Sequence, residues 1–240
     1  GMLQCPDILV QQTQRMLRDN RVRRLATEFG CQWLHIHEFD VVEKKNHALF
    51  PEFDELRGAM YEEAILFFTD MFQHDGTLLD LLAADHTFLN ENLAAFYGIE
   101  GISGSEWRRV DGIQQHRRGG ILGFSATLAK QSGASRTSPI LRGNWISEVL
   151  LGEKLPRPPP DVPQLAEEIP AGLTERQLIE RHSSDAACAK CHRRIDPYGF
   201  ALEGFDAIGR RRDMMSAGIP VDTKTILPEG TEIDGIDGLR

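Results

Sequence analysis

Ala187-Cys188-Ala189-Lys190-Cys191-His192 is the stretch on which the reading of this chain turns, because two cysteines separated by two residues and followed at once by histidine specify a narrow chemistry. The spacing lets both sulfurs reach the two vinyl groups of one porphyrin as thioethers. It also sets an imidazole nitrogen beside the iron. The pattern reads as a c-type haem attachment site, with Cys188 and Cys191 as tethers and His192 as the proximal iron ligand. Other chemistries share the same cysteines. A zinc site needs two further ligands, and Cys5 and Cys31 form no second Cys-x-x-Cys, although His182 stands close before the motif. A redox dithiol expects a strand-helix-strand setting, whereas here a helical pattern and the polar Ser183-Ser184-Asp185 precede the cysteines.

Working outward, Thr174-Glu175-Arg176-Gln177 has the form of a capping box and opens a helix through Leu178 and Ile179 to His182. Ahead of it, Pro156-Arg157-Pro158-Pro159-Pro160-Asp161-Val162-Pro163 favours extended polyproline backbone and reads as the joint between two packed units. Ser138-Pro139 starts another helix, with Ser as N-cap, that runs through Trp145 and Val149 to Gly152. Apolar steps of three and four at Phe53, Leu56, Met60, Ala64, Phe67 and Met71 mark the buried face of a long helix. Asp85 or Thr87 is the expected cap of a helix carrying Phe88, Leu89, Leu93, Phe96 and Tyr97, and residues 98–112 read as a loop. Residues 6–29 read as a solvent-facing helix stopped by Gly30, and the run from Ile121 to Leu128 as helical. Downstream, Ile219, Val221, Thr223, Thr225 and Leu227 alternate ahead of a Pro228-Glu229-Gly230 turn, which predicts a short hairpin.

Composition narrows the function classes. The 240 residues suffice for one large domain or two small ones, and 41% hydrophobic with 26% charged residues describes an ordinary globular chain. A formal net charge of -9 argues against nucleic acid, which requires a basic surface, and favours a cationic or neutral partner. No apolar run is long enough to span a bilayer. Gly1 ahead of Met2 reads as a residue left by tag removal, so an export signal would stand outside this sequence. Cys5 and Cys31 read as isolated structural thiols. His35 and His37, two residues apart, share a face only on a strand and make a weak metal pair. No Gly-x-Ser-x-Gly surrounds any serine, and no Gly-Lys-Ser/Thr follows Gly119-Gly120, so neither a hydrolase nor a nucleotide site is expected.

Several longer segments carry a resemblance: Phe50-Pro51-Glu52-Phe53-Asp54-Glu55-Leu56-Arg57; Thr87-Phe88-Leu89-Asn90-Glu91-Asn92-Leu93-Ala94 with Tyr97-Gly98-Ile99; Arg136-Thr137-Ser138-Pro139-Ile140-Leu141-Arg142-Gly143; and the run from Cys188 through Asp196-Pro197-Tyr198-Gly199-Phe200-Ala201-Leu202-Glu203-Gly204-Phe205-Asp206. Together with the proline run, they resemble the cytochrome-like multidomain proteins abundant in planctomycetes, built from adjacent domains of unknown function. The resemblance spans nearly the whole chain. It implies export from the cytoplasm and haem c at Cys188, Cys191 and His192, with haem expected to be lacking from protein made in a cytosol without maturation machinery. It implies no particular reaction: by analogy alone the family looks like an electron-transfer or haem-redox component, its redox partner protein unknown, and it usually continues into a further domain of the same polypeptide.

The expected architecture is mainly α: a helical domain over residues 1–155, a proline-rich linker over 156–163, a cytochrome-c-like unit with a short terminal β-hairpin over 164–233, and the opening of a truncated further domain over 234–240. The carboxylate of Asp196 or the carbonyl of Pro197 is expected to hold the second ring nitrogen of His192. Arg210, Arg211 and Arg212 are candidates to pair with haem propionates. Met214 or Met215 is the favoured distal ligand, ahead of His182, His86 and His116. The competing expectation is a non-enzymatic interaction module in which Cys188 and Cys191 form a disulfide or a structural metal site.

Overall fold

A computed structural model of the chain describes residues 2–156, 172–215 and 218–240; the run from Arg157 to Pro163, and with it most of the expected linker, lies outside the described residues. The described residues are mainly helical, with two small antiparallel two-stranded sheets, as the sequence predicts. They divide into two compact units, residues 1–130 and 131–240.

The N-terminal unit is built around α4 (Phe53–Gln73). Its buried face contains Phe53, Leu56, Met60, Ala64 and Phe67, as the spacing predicts, and each large apolar side chain so buried stabilises the fold by roughly 1.5–3 kcal/mol. Phe67 meets Phe124 edge-on at 5.1 Å, and Phe53 meets Phe39 at 5.9 Å. The segment expected as one helix over residues 6–29 is broken. Helix α1 (Pro6–Leu17) ends where Asp19 caps a 3-10 turn, and α2 (Arg23–Leu25) passes into a π-helical turn, Ala26–Cys31. Gly30 does not stop the chain there. It lies inside that turn beneath the Phe68 ring, where a Cβ would come within 2.7 Å of ring carbons.

After α3 (Phe39–Val42), α4 and α5 (Leu78–Ala83), strand β1 (His86–Leu89) pairs antiparallel with β2 (Arg108–Asp111), Thr87 opposite Val110. A strand thus forms within the expected loop. Thr87 and Phe88, expected to open a helix, are extended instead. The cap of α6 (Glu91–Tyr97) is Asn90, whose Oδ1 accepts from the Leu93 N–H at 3.0 Å. Helix α7 (Ser125–Lys130) starts four residues later than the Ile121 expected.

One polar cluster interrupts this core. Glu63, on the buried side of α4, accepts hydrogen bonds from the Thr87 hydroxyl at 2.6 Å and from the Tyr97 hydroxyl. Arg118, also buried, lies 3.9 Å over the Tyr97 ring and donates to the Gly123 carbonyl and the Ser125 hydroxyl.

The C-terminal unit begins at Gln131. Within it, α8 (Pro139–Trp145) packs on α10 (Ala186–Ala201). A Cβ on Gly143 would lie 1.9 Å from the Ile195 carbonyl oxygen, and one on Gly199 would lie 1.9 Å from that of Pro139. The two backbones touch through their glycines, so α8 and α10 belong to one unit. Ser138 caps α8 as predicted, its hydroxyl accepting from the Leu141 N–H at 3.3 Å, and the helix continues through a π-helical turn, Ile146–Leu150.

Arg142 reinforces the seam. Its guanidinium, 1% exposed, donates to the carbonyls of Leu202, Phe205 and Asp206 and to the Ser132 hydroxyl, and it faces Glu203 at 3.4 Å. The Arg-Thr-Ser-Pro-Ile-Leu-Arg-Gly and Gly-Phe-Ala-Leu-Glu-Gly-Phe-Asp segments are therefore the two halves of one packing contact. Strands β3 (Lys224–Ile226) and β4 (Glu232–Asp234) form the expected hairpin, Thr225 opposite Ile233. Within this unit Ile236 is buried and Arg240 donates to the Asp237 carboxylate.

Candidate haem-attachment site

Helix α9 (Glu175–His182) leads into the site, and its start is fixed locally. The Thr174 hydroxyl accepts from the Gln177 N–H at 3.1 Å and the Gln177 side chain accepts from the Thr174 N–H at 2.9 Å, the predicted capping box. Arg176 ties the helix to its surroundings by stacking on Phe200 at 4.6 Å and bonding Glu180, Asp222 and the Lys224 carbonyl. Glu175 is buried beside Arg136, and burial pushes its carboxyl up to about 7 against that cation. A turn at Ser183–Ser184 then delivers the chain into α10.

The cysteine-histidine motif occupies the first turns of α10. Residues three and four apart on a helix are neighbours, so Cys188 shares one side with both Cys191 and His192. Both cysteines are half-buried free thiols. Asp196, one turn beyond His192 and 5% exposed, places both carboxylate oxygens 2.9 Å from His192 Nδ1. Of the two partners expected for that nitrogen, the carboxylate is the one in place. Burial pushes the Asp196 carboxyl up, and the hydrogen bond from His192 opposes that shift. An ionised Asp196 can only accept, so beside it Nδ1 carries the ring proton, and in the neutral ring Nε2 keeps the lone pair.

His182 closes in from the end of α9, its ring 5.1 Å from that of His192 and nearly perpendicular to it. It sits beside the ligand candidate, as its place in the sequence suggests. Burial, and the neighbouring His192, lower its pKa. A cavity of about 180 Å³ opens here, lined among others by His192, Asp196, Arg193, Phe200 and Thr225. That is less than the ~300–1,000 Å³ of pockets that enclose a drug-sized ligand. The donor set itself suits a haem, with two thiols and a tautomer-fixed imidazole on adjacent turns of one helix.

The other candidates make contacts of their own. Arg212 donates to the buried Glu203 at 2.9 Å and Arg211 faces Asp213, so Arg212 serves the α8–α10 seam rather than an anionic ligand. Met214 is 51% exposed and bridges to Pro220, and the Met215 N–H bonds the Ile219 carbonyl. His86 and His116 belong to the N-terminal unit, where His86 stacks on Phe67 and faces Asp70 at 3.4 Å. Among the described residues, no group of three or more His, Cys, Asp or Glu is disposed to hold a metal ion, so a zinc site at Cys188 and Cys191 lacks its remaining ligands among them. None of the described helices is long and apolar enough to cross a membrane.

What the sequence left undecided here was the Asp196 contact. The i, i+4 spacing of His192 and Asp196 was its one signal, and that spacing has meaning only once α10 is known to run unbroken through Pro197.

No curated protein and no solved structure matches the chain. Two family models do: residues 1–99 match PSD4, described as a protein of unknown function (DUF1592), and residues 118–215, which include the α8–α10 seam and the cysteine-histidine motif, match PSCyt3, described as a protein of unknown function (DUF1588).

Proposed function

We propose that the chain is a c-type haem protein: Cys188 and Cys191 bind haem as thioethers, His192 is the proximal ligand through Nε2, and the protein serves outside the cytoplasm as an electron-transfer or haem-redox component. The observation that carries this reading is the convergence of both thiols and a histidine of fixed tautomer on the first turns of α10, with Asp196 holding His192 Nδ1. The family name PSCyt3 on residues 118–215 agrees with a cytochrome-like role.

Haem, when bound, supplies one-electron chemistry. The protein's part is to anchor and orient it. The two thiols on one helical side would hold the group as thioethers, Asp196 restrains His192 by its contact with Nδ1, and the Arg142 and glycine contacts hold the far half of α10 against α8. An extracytoplasmic setting follows from the attachment chemistry, which needs reduced thiols and haem brought together on the exported chain.

Co-expression of the exported chain with a cytochrome-maturation system tests the proposal. The intact mass should rise by one haem, and the denatured protein should keep its Soret absorption. Replacing both Cys188 and Cys191 by Ala should abolish both signals. A wild-type mass equal to the bare polypeptide, under conditions that mature a control cytochrome, overturns the reading.

A further inference from the structure

We propose that α1 and the turn after it form a docking face for the surface of an anionic phospholipid bilayer. Apolar side chains of the helix enter the boundary between headgroups and acyl chains, and arginines pair with lipid phosphates. The proposal is independent of the haem reading above and concerns the N-terminal unit alone.

Three observations carry it. First, the apolar stripe of α1 faces outward. Leu9, Thr13 and Met16 share one line of the helix, with Val10 and Leu17 beside it. A helix packed into a domain turns such a stripe inward, yet no side chain of α1 is buried, and Leu9, Val10 and Met16 are each more than half exposed. The half-buried side chains are Ile8 and Gln12, which lie off the stripe, and Leu17 at its end. Second, the stripe runs into an apolar groove of about 510 Å³ formed by Met16, Leu17, Val22 and Leu25 and rimmed by Arg15, Asp19 and Arg21. Third, the local charge is opposite to that of the chain. The net charge is -9, but residues 1–25 hold five arginines against two aspartates. Arg21 pairs with Asp19 and Arg23 with Glu62, which leaves Arg15, Arg18 and Arg24 exposed and without a carboxylate partner among the described residues. Exposed apolar side chains beside uncompensated arginines make up a helix that lies in a bilayer interface rather than spanning it. A second copy of the chain fits less well. The twelve residues of α1 span about 18 Å, too short a seam to bury the ~1,200 Å² of a stable dimer, and pairing along it would bring the arginines of two copies together. An acidic peptide would be held by the groove alone and would leave Leu9 and Val10 in water.

The test is flotation of the full chain with vesicles of phosphatidylcholine alone, or of phosphatidylcholine and phosphatidylglycerol in equal parts. The chain should float with the mixed vesicles and not with the neutral ones, and high salt should release it. Leu9→Gln combined with Met16→Gln should weaken binding by about tenfold or more, and Arg15→Gln combined with Arg18→Gln by about tenfold. All four side chains are exposed, so the circular dichroism spectrum should not change. Leu78→Gln combined with Leu79→Gln is the control, because those leucines of α5 are more exposed still and should leave binding as it is. A wild-type chain that does not float with the mixed vesicles overturns the proposal. So does equal flotation with neutral vesicles, or an equal loss in the control variant, either of which marks general apolar adhesion. A dimer in sedimentation velocity that dissociates in the Leu9→Gln, Met16→Gln variant assigns the stripe to a second copy and overturns it as well. Retention on a glutamate- and leucine-rich peptide by a chain that ignores both vesicles gives the groove to a peptide partner instead.

Discussion

Glu63 in the N-terminal unit and Glu203 in the C-terminal unit are both buried near an arginine, and the two are satisfied in different ways. Glu63 of α4 accepts from two hydroxyls, those of Thr87 and Tyr97, and Arg118 lies over the Tyr97 ring, its charge acting on the carboxylate. Glu203, just past α10, faces the guanidiniums of Arg142 and Arg212 and accepts a third bond from Thr137. Neutral donors solvate a buried charge only in part. Burial therefore pushes the Glu63 carboxyl up to about 7, with the bonds from Thr87 and Tyr97 opposing that shift. In the other unit it is the cation that yields: burial lowers Arg142 to about 10 although Glu203 supports its charge. Around Glu63 the N-terminal core thus holds a carboxyl that titrates near neutrality, as Glu175 does beside Arg136 in the other unit, whereas around Glu203 the C-terminal core holds a cation clamped between a carboxylate and three carbonyls.

Removing the clamp should have the largest effect. Arg142→Ala strips Glu203 of one cation and leaves the Leu202, Phe205 and Asp206 carbonyls without that donor, which should destabilise the C-terminal unit by about 3–5 kcal/mol. Denaturant unfolding followed by hydrogen exchange of α8 and α10 peptides reads it. A loss under about 1 kcal/mol would show the pair to be as weak as a surface ion pair and break the contrast.

The second test lies in the N-terminal unit and in pH. A carboxyl that titrates near 7 when folded and near 4.5 when unfolded holds its proton more tightly in the native state. Its contribution is complete below about pH 4.5 and declines as pH rises toward 7, for a total of about 3 kcal/mol. Hydrogen exchange of α4 and α6 should speed up between pH 5 and 8 beyond the intrinsic chemical rate, on the order of a hundredfold for that energy. In Glu63→Gln this dependence should vanish. A wild-type unit equally stable at both ends of the range would mean that Glu63 stays charged throughout.

The smallest effect sharpens the same contrast. Thr87→Val removes one of two donors from Glu63, and Thr137→Val removes a donor from Glu203 that two guanidiniums still serve. The first should cost about 1–3 kcal/mol above pH 7 and the second about 1 kcal/mol. Equal losses from the two variants would mean that cations and hydroxyls are interchangeable here.

How far the sequence carried depended on the range of the interaction. The face of α4, the Ser138 cap, the Thr174 box and the terminal hairpin were legible because each is decided within a few residues. Gly143 and Gly199 were not, since their meaning is a backbone contact across more than fifty residues of chain. For the same reason the packing of α8 forward onto α10 was not legible either, whereas the proline run offered a local signal. Strands β1 and β2 are four residues each and show little periodicity, and Thr87 looked like a cap because a threonine that bonds a distant glutamate is indistinguishable from one that bonds its own backbone. At the site, the thiols and the histidine were read from spacing alone. The partner of the histidine needed the helix.

Along α10 itself burial is lopsided. The described side chains from Cys188 to Arg194 are half-buried or exposed, whereas Ile195, Asp196, Phe200 and Ala201 are buried, and the glycine contact with α8 falls on that second half. Mechanically the helix is a cantilever, built in at its C-terminal end and projecting its first turns. Asp196 stands on the fixed part and His192 one turn out from it, so the imidazole keeps its support when the leading turn frays. Opening that turn breaks few tertiary contacts, and segments of that kind are the ones that open most cheaply from the native state. For the haem attachment proposed above, that would present the two thiols to an attachment catalyst while the rest of the protein is already folded.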